Sequence, residues 1–206
     1  MGLAIALRSI CLLIVLFAPF APARAAEVAG AVARLQGTAT AELAGASRDL
    51  AEGAALRPGD RIQTGAASRL EMRMRDGAVI TLGENANFTI GAFEADERGG
   101  VFGLLRGAFL AISGKIDDTT SSPMTVITPI ATAGIRGTTV WGEQSTDTLE
   151  MALFEGNRVF VEAQGRRVEL TEPLFGTTVV AGQAPTPPKR WGDPKIAKAQ
   201  SSVAFQ

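Results

Sequence analysis

The stretch Thr125–Trp141, with the sequence TVITPIATAGIRGTTVW, decides the fold class of this chain. β-branched and apolar residues dominate it, and such side chains pack well on the pleated surface of a sheet. Pro129 has no backbone N–H and therefore belongs at a strand start or on an edge. Glycine inside a strand pattern is typical of a bulge or a close backbone approach, and Gly134 and Gly137 flank Arg136 here. The stretch predicts extended backbone with a crowded corner around one arginine.

The pattern of this stretch continues on both sides of it. From residue 30 onward, short alternating apolar runs are separated by glycine, and no long helical periodicity precedes the C-terminal tail. A turn followed by an apolar strand recurs at Asp76-Gly77, Arg106-Gly107, Glu155-Gly156 and Gln164-Gly165. We therefore predict an all-β fold of stacked hairpins, arranged as an irregular β-solenoid or roll or as a sandwich, with an extended C-terminal tail. Ordinary glycine-rich hairpin turns explain the recurrence equally well.

Two groups of residues in this pattern resemble a known family. The run Gly59–Gly65 (GDRIQTG) precedes an alternating hairpin that turns at Asp76-Gly77, and Thr128-Pro129 precedes the run Ala133–Thr138 (AGIRGT). In this order and spacing, over about residues 55–145, they resemble the FecR-type domain. The candidate binding residues that carry the resemblance are Gly59, Asp60, Thr64, Gly65, Asp76, Gly77, Thr128, Pro129, Gly134, Arg136, Gly137 and Thr138.

The resemblance implies a β domain in the periplasm. Regulators similar to the family's namesake carry a cytoplasmic anti-sigma segment, a transmembrane helix and then this periplasmic domain, which receives a signal from an outer-membrane transporter. Only residues 1–9 precede the apolar segment of this chain, so we expect a stand-alone domain without the anti-sigma and transmembrane parts. A role in iron sensing is left open.

The first 25 residues have the features of a signal peptide. Arg8 precedes an apolar run over residues 10–17 that is too short to span a bilayer comfortably, and Ala23-Arg24-Ala25 provides a small-residue cleavage site. We predict residues 1–25 as a signal peptide, 26–181 as the FecR-like all-β domain and 182–206 as a proline-rich basic tail. Export would place the protein in the periplasm, and the alternative is an uncleaved anchor.

The composition excludes several kinds of function. The chain of 206 residues has no histidine, and its one cysteine, Cys11, lies in the predicted signal peptide. Zinc-type ligand sets and Ser-His or Cys-His nucleophiles are therefore excluded, and we expect no cofactor and no metal. Cleavage removes two arginines and no acids, which leaves 18 basic and 21 acidic residues, a net charge of −3. Nothing in this charge favours nucleic acid, which needs a basic face.

Paired carboxylates are the enzymatic route that remains, with Asp60, Glu71, Asp76, Glu84 and Glu155 as candidates for acid–base work of the glycosidase kind. Asp60 and Asp76 occupy turn positions, where aspartate bonds to local backbone. Alternation along its strand places the Glu71 side chain on the solvent-exposed side. The sequence therefore favours a protein without catalytic residues.

Arg136 has two interpretations. It either locks the corner between Gly134 and Gly137 through carbonyls or a buried acid such as Asp76 or Glu84, or it offers a bidentate contact to a carboxylate on a partner. We favour the locking role, because an arginine between glycines can lie close to backbone.

Together these observations predict an exported, non-enzymatic binding or scaffolding module of the bacterial cell envelope, acting in envelope signalling. Its expected partner is a protein or another envelope component, with self-association left open and no stable membrane span after signal cleavage. One alternative is a carboxylate-dependent cell-wall or carbohydrate-active enzyme. Another is a structural envelope protein whose exposed β edges pair between copies.

Export gives the first testable prediction. Because the cleavage site is Ala23-Arg24-Ala25, the protein recovered from the envelope fraction should begin at Ala26. Intact-mass spectrometry measures this directly. A full-length mass in the membrane fraction would show that the segment is an anchor.

Overall fold

The structure is a computed structural model that describes residues 27–91, 100–113 and 124–206. The predicted signal peptide lies outside the described residues. The described chain forms strands β1 to β17 and one helix, α1, in the order β1 (Gly30–Gln36), β2 (Ala39–Leu43), β3 (Ala46–Asp49), β4 (Ala55–Leu56), β5 (Arg61–Thr64), β6 (Arg69–Met74), β7 (Val79–Leu82), β8 (Asn87–Ile90), β9 (Val101–Ile112), β10 (Met124–Ile127), β11 (Thr132–Ile135), β12 (Thr139–Gln144), β13 (Thr148–Glu155), β14 (Val159–Ala163), β15 (Arg166–Leu170), β16 (Phe175–Val180), β17 (Lys189–Arg190) and α1 (Asp193–Val203).

The strands form two sheets that share strand β9. Sheet A has the order β4-β1-β6-β7-β9-β12-β13-β16-β17, and sheet B has the order β3-β2-β5-β8-β9-β10-β11-β14-β15. Among the described strands, β9 and β10 pair in parallel and the other pairs are antiparallel, so the sheet is mixed and open. The all-β fold class is confirmed.

Strand β9 bends between the two sheets at Gly107. Its first half pairs with β8 and β10 in sheet B, and its second half pairs with β7 and β12 in sheet A. The register with β8 shifts next to Asn87, so Leu105 and Arg106 both face outward, as at a β-bulge. Gly107 has φ +101°, and a Cβ there would lie 2.6 Å from Ala86 Cα. Only glycine fits this bend.

One apolar core fills the space between the two sheets. It takes Leu70 and Met72 from sheet A and Ile62 and Phe88 from sheet B, all essentially inaccessible to solvent. Because side chains alternate along a strand, the other residues of each strand face outward. This shared core corresponds to the sandwich arrangement.

The hairpin predicted around Asp76-Gly77 is confirmed. β6 and β7 pair antiparallel, and Leu70, Met72 and Met74 are buried on one side of β6. The other recurring glycines occupy different positions in the fold. Gly165 lies in the β14–β15 hairpin, Gly107 lies at the bend of β9, and Gly156 lies between β13 in sheet A and β14 in sheet B. Glycine turns of several kinds therefore account for the recurrence.

The C-terminal residues pack against the outer side of sheet A. Trp191 is 3% exposed, and its ring meets that of Trp141 edge-to-face at 5.7 Å between centroids. Helix α1 then buries Ile196, Ala199 and Val203 on one side. These residues form a second apolar cluster with Trp141, and with Ala108 and Ala152 of sheet A.

The prolines and lysines of the tail predict an extended, mobile arm, but the structure shows a tail that is packed on sheet A. Pro194 lies in the first turn of α1, where proline is tolerated because that N–H has no helical partner. An isolated helix of 11 residues is marginal, but packing on a sheet supplies the missing stability. Polar contacts tether it further, since Trp141 Nε1 donates to Ser202 Oγ at 2.9 Å and Lys195 Nζ pairs with Glu150 at 2.5 Å.

Within the described ranges, the structure contains no helix with the length and apolar character needed to cross a membrane.

The packed tail leads to a stability prediction. Trp191→Ala removes the ring that covers Trp141 and Gly176, so we expect unfolding free energy to fall by about 3 kcal/mol or more. Lys198→Ala, on the exposed side of α1, is the control and should stay within about 0.5 kcal/mol of wild type. Urea unfolding followed by tryptophan fluorescence and circular dichroism compares the variants. Equal stability would mean that the tail contributes nothing to the fold.

Candidate functional site

The first residues of the resemblance form a buried ion pair. Asp60 is fully buried, and Arg48 of β3 donates from Nη1 and Nη2 to its two carboxylate oxygens at 2.8 and 2.5 Å. The backbone N–H of Arg57 donates to Asp60 Oδ2 at 2.8 Å. The hydrogen bonds and charge of Asp60 raise the pKa of Arg48 above its ordinary value. Gly59 adopts φ +89° beside it. Asp60 therefore fastens the β4–β5 turn to the β2–β3 hairpin.

Thr64 and Gly65 join the end of β5 to the β7–β8 turn. Thr64 Oγ1 donates to Gly83 O at 2.7 Å and accepts from the N–H of Ala86 at 2.9 Å. A Cβ at Gly65 would lie 2.3 Å from Thr38 Oγ1, so the close approach requires glycine. Both residues therefore hold the end of β5 close to the segments that pack against it.

Asp76 and Gly77 form the β6–β7 turn, as the sequence predicts. The N–H of Ala78 donates to Asp76 Oδ1 at 2.9 Å, and Gly77 adopts φ +84°. Aspartate commonly closes a turn in this way, and glycine tolerates the left-handed conformation.

Thr128 and Pro129 form the turn between β10 and β11. Thr128 Oγ1 accepts from the N–H groups of Ile130 and Ala131 at 3.3 and 3.0 Å and donates to Ala131 O at 3.1 Å. A threonine hydroxyl thereby replaces part of the backbone bonding of the turn. Pro129 lies between the strands and interrupts no ladder bond.

The corner after β11 uses the last four residues of the resemblance. Gly134 lies under the ring of Phe160, and a Cβ there would be 2.0 Å from a ring carbon. Gly137 turns the chain with φ +64°, and the N–H of buried Thr138 donates to Ser113 Oγ at 3.0 Å. Arg136 is half-buried at this corner. The crowding predicted there is present at Gly134.

The role of Arg136 stays a prediction. Its backbone N–H donates to Arg158 O at 3.4 Å, which ties the corner to the start of β14. Of the two acids considered as partners, Asp76 accepts from its own turn and Glu84 accepts from the N–H of Ala67 at 2.7 Å.

The twelve residues of the resemblance are thus spread over separate turns and corners of both sheets. They define how the chain folds back, and they do not converge on one pocket. The carboxylates considered for catalysis are dispersed in the same way, since Asp60 is paired with Arg48, and Glu155 accepts from Thr139 Oγ1 at 3.4 Å. The described residues contain no group of three or more His, Cys, Asp or Glu side chains that could hold a metal ion.

A surface that the sequence analysis missed lies on the outer side of sheet B. We call it the open face and define it by the outward side chains of β8, β9, β10, β11 and β14. Leu105 is 59% exposed and Ile127 is 47% exposed on this face, and Phe160 is half-buried. Register places Ile127 beside Gly103 and Phe160 beside Gly134, so these side chains share one side of the sheet. Alternation of apolar residues alone could have suggested Ile127, but not its lack of cover.

The buried ion pair leads to a prediction. Arg48→Met removes the charge partner of buried Asp60, so unfolding free energy should fall by about 3 kcal/mol. Arg48→Lys should restore only part of it, because one ammonium cannot donate in the planar bidentate geometry. Arg61→Met, an exposed arginine on neighbouring β5, is the matched control and should change stability by less than about 0.5 kcal/mol. Urea denaturation measures all three, and an unchanged Arg48→Met variant would contradict the prediction.

The chain is similar to known proteins both in sequence, over one family model, and in fold. The family model described as "FecR protein" matches residues 60–157. Two crystal structures of a candidate anti-sigma factor from Parabacteroides distasonis share the fold, with a TM-score of 0.55 and 15% sequence identity. The match covers 66% of this chain and 62% of the Parabacteroides distasonis protein, which is less than two thirds of the length of that protein. Among the curated proteins, none matches this chain. The resemblance to the FecR-type domain is confirmed, because residues 60–157 of this chain match the model of that family.

Proposed function

We propose that this FecR-domain protein is an exported, non-enzymatic binding module of the bacterial cell envelope that acts in envelope signalling. The FecR domain and a fold similar to that of a candidate anti-sigma factor support a regulatory role. The FecR resemblance implies a periplasmic domain that receives a signal through protein contact. The proposed partner is therefore a protein, bound at the open face of sheet B.

The observation that carries this proposal is the difference between the outer sides of the two sheets. Helix α1 and Trp191 cover Trp141, Ala152 and Leu110 on the outer side of sheet A, where Ile112 stays 44% exposed. On the open face, Leu105 and Ile127 are exposed between threonines and glycines. Apolar side chains that lie together in a surface of small polar residues are typical of a protein contact site.

The enzyme alternative has less support from the geometry. A glycosidase needs two carboxyl groups facing each other across a cleft, one with its pKa raised. Asp60 is bonded on both oxygens to Arg48, and Asp76 is bonded within its own turn.

The assembly alternative has less support as well. The outer strands of sheet A, β4 and β17, have two residues each. The outer strands of sheet B, β3 and β15, are short and carry arginines, and charge on a short edge opposes strand pairing between copies.

Photo-crosslinking in living cells tests the proposed function. A photoreactive amino acid is placed at Ile127 or at Leu105, and the matched control position is Lys198, exposed on α1 at the opposite side of the molecule. We expect discrete protein adducts from the two open-face positions and none from Lys198, because a docked partner lies within reach of the open face alone.

A second substitution then links the adducts to the surface. Ile127→Arg should abolish the adducts from Leu105 while unfolding free energy stays within about 0.5 kcal/mol of wild type, since Ile127 is largely exposed. Adducts that survive Ile127→Arg, or equal adducts from Lys198, would contradict binding at the open face.

A further inference from the structure

One row of outward side chains crosses the outer side of sheet B, and the open face is its middle part. Strand register sets one outward residue of each strand directly beside the next. From β2 to β15 the row consists of Glu42, Arg61, Thr89, Gly103, Ile127, Thr132, Glu162 and Arg167. An acid and an arginine therefore lie at each end of the row, and uncharged residues lie between them.

The charged side chains at both ends have unused bonding capacity. Glu42 and Arg61 are direct neighbours across β2 and β5, yet within the described ranges neither forms an ion pair. At the other end, Arg167 donates from Nε and Nη2 to Glu162 Oε2 at 3.0 and 2.7 Å. Glu162 Oε1 and Arg167 Nη1 are left open in the part of the chain that the structure describes. Each end can thus accept and donate further charged hydrogen bonds.

The row is complementary to itself under a two-fold rotation. An axis parallel to the strands, between β9 and β10, turns the open face of one copy onto the open face of a second copy. It brings β5 opposite β14 and β2 opposite β15. Arg61 then faces Glu162 of the second copy, and Glu42 faces Arg167 of the second copy. Each contact occurs twice, because a two-fold interface uses the same surface on both chains.

Charge selects this position of the axis over its neighbours. An axis on β9 would set Glu42 against Glu162 of the second copy. An axis on β10 would set Arg61 against Arg167 of the second copy. Both arrangements place like charges together, and such contacts suppress the wrong alignment.

The uncharged centre of the row fits the same alignment. Ile127, which is 47% exposed, lies over Gly103 of the second copy, where the missing side chain leaves space. Leu105 and Pro129 follow these two residues on the parallel strands β9 and β10 and line one hollow. Leu105 is 59% exposed, and the rotation places it over Pro129 of the second copy. Apolar contacts at the centre with charges around them are typical of a protein interface.

The dimensions of the row indicate a reversible contact. Strands lie about 4.8 Å apart, so the row is about 34 Å long from β2 to β15. Two such faces stacked as in a sandwich would bury about 1,000 Å² in total, which is near the lower limit for a specific interface. Dilute protein is then a single chain, and association requires a raised concentration.

We propose that the open face binds a second copy of this chain, in a two-fold dimer held by the pairs Arg61–Glu162 and Glu42–Arg167. The inference rests on the proposed function, since it names the protein that occupies the open face. Pairing through faces closes at two copies and leaves the sheet edges unpaired, so it produces no fibre.

Charge exchange between two variants tests the alignment. Arg61→Glu and Glu162→Arg each set like charges together at two contacts, so sedimentation velocity should show dimerisation at least tenfold weaker than that of wild type. An equimolar mixture of the two variants should dimerise again. In the mixed dimer the introduced glutamate faces the introduced arginine, and the native pair forms the other contact. Arg73→Glu, exposed on β6 of sheet A, is the matched control and should dimerise as wild type.

Folding is checked in dilute protein, where the single chain prevails. Arg61 is exposed, so its substitution should change association and leave circular dichroism and the thermal midpoint as in wild type. A wild-type protein that stays monomeric up to about 1 mM would overturn the proposal. A mixture of the two variants that fails to dimerise under conditions where wild type does would overturn it too.

The crosslinking experiment separates this inference from the proposed function. Adducts from Ile127 with twice the mass of the exported chain would support the dimer. Adducts to a different protein alone, together with a monomeric wild type, would leave the proposed function in place and remove the dimer. Dimers restored by charge exchange, together with no adducts in cells, would keep the dimer and remove partner binding at the open face in the envelope.

Discussion

The bend at Gly107 is the constraint on which the rest of the fold depends. One continuous strand, β9, pairs in sheet B before this glycine and in sheet A after it. The two sheets can face each other across one core only because the backbone of Gly107 approaches Ala86 without a Cβ. The bulge at the same point turns Leu105 and Arg106 outward together, which breaks the alternation of β9. The residue that permits the sandwich thus lies beside the bulge that exposes Leu105 on the open face.

The residues that carry the FecR resemblance hold the turns and corners of this fold. Asp60 fastens one turn through Arg48, Thr64 fastens another through Gly83, and Thr128 closes a third. Each replaces or supplements backbone hydrogen bonds where a strand ends, because an unpaired buried backbone group is costly. A set of turn and corner residues identifies the family by its fold. Under the proposed function, recognition falls to the surfaces between the turns, where a shared fold does not dictate which side chain is present.

Local features of the sequence were sufficient to predict the fold class and the β6–β7 hairpin, because alternation and turn chemistry act over a few residues. Partners distant in the chain could not be predicted in the same way. Arg48 carries no sequence feature that assigns it to Asp60, and Trp191 stands among prolines and lysines that suggest an arm. Ile127 is a further case, since its lack of cover is visible only when all its neighbours are placed. Tertiary packing therefore decided both the tail and the candidate site.

The difference between the two outer sides follows from which side chains alternate outward. In sheet A the outward positions include Trp141, Ala152 and Leu110, and this surface is too apolar to remain in water. The chain covers it with its own helix, at the entropic cost of ordering the tail. In sheet B the outward positions mix threonine, glycine and charged residues such as Glu162 with single apolar residues such as Ile127, so this side is stable in water without a permanent cover. A surface of this kind fits the proposed reversible binding of a protein partner.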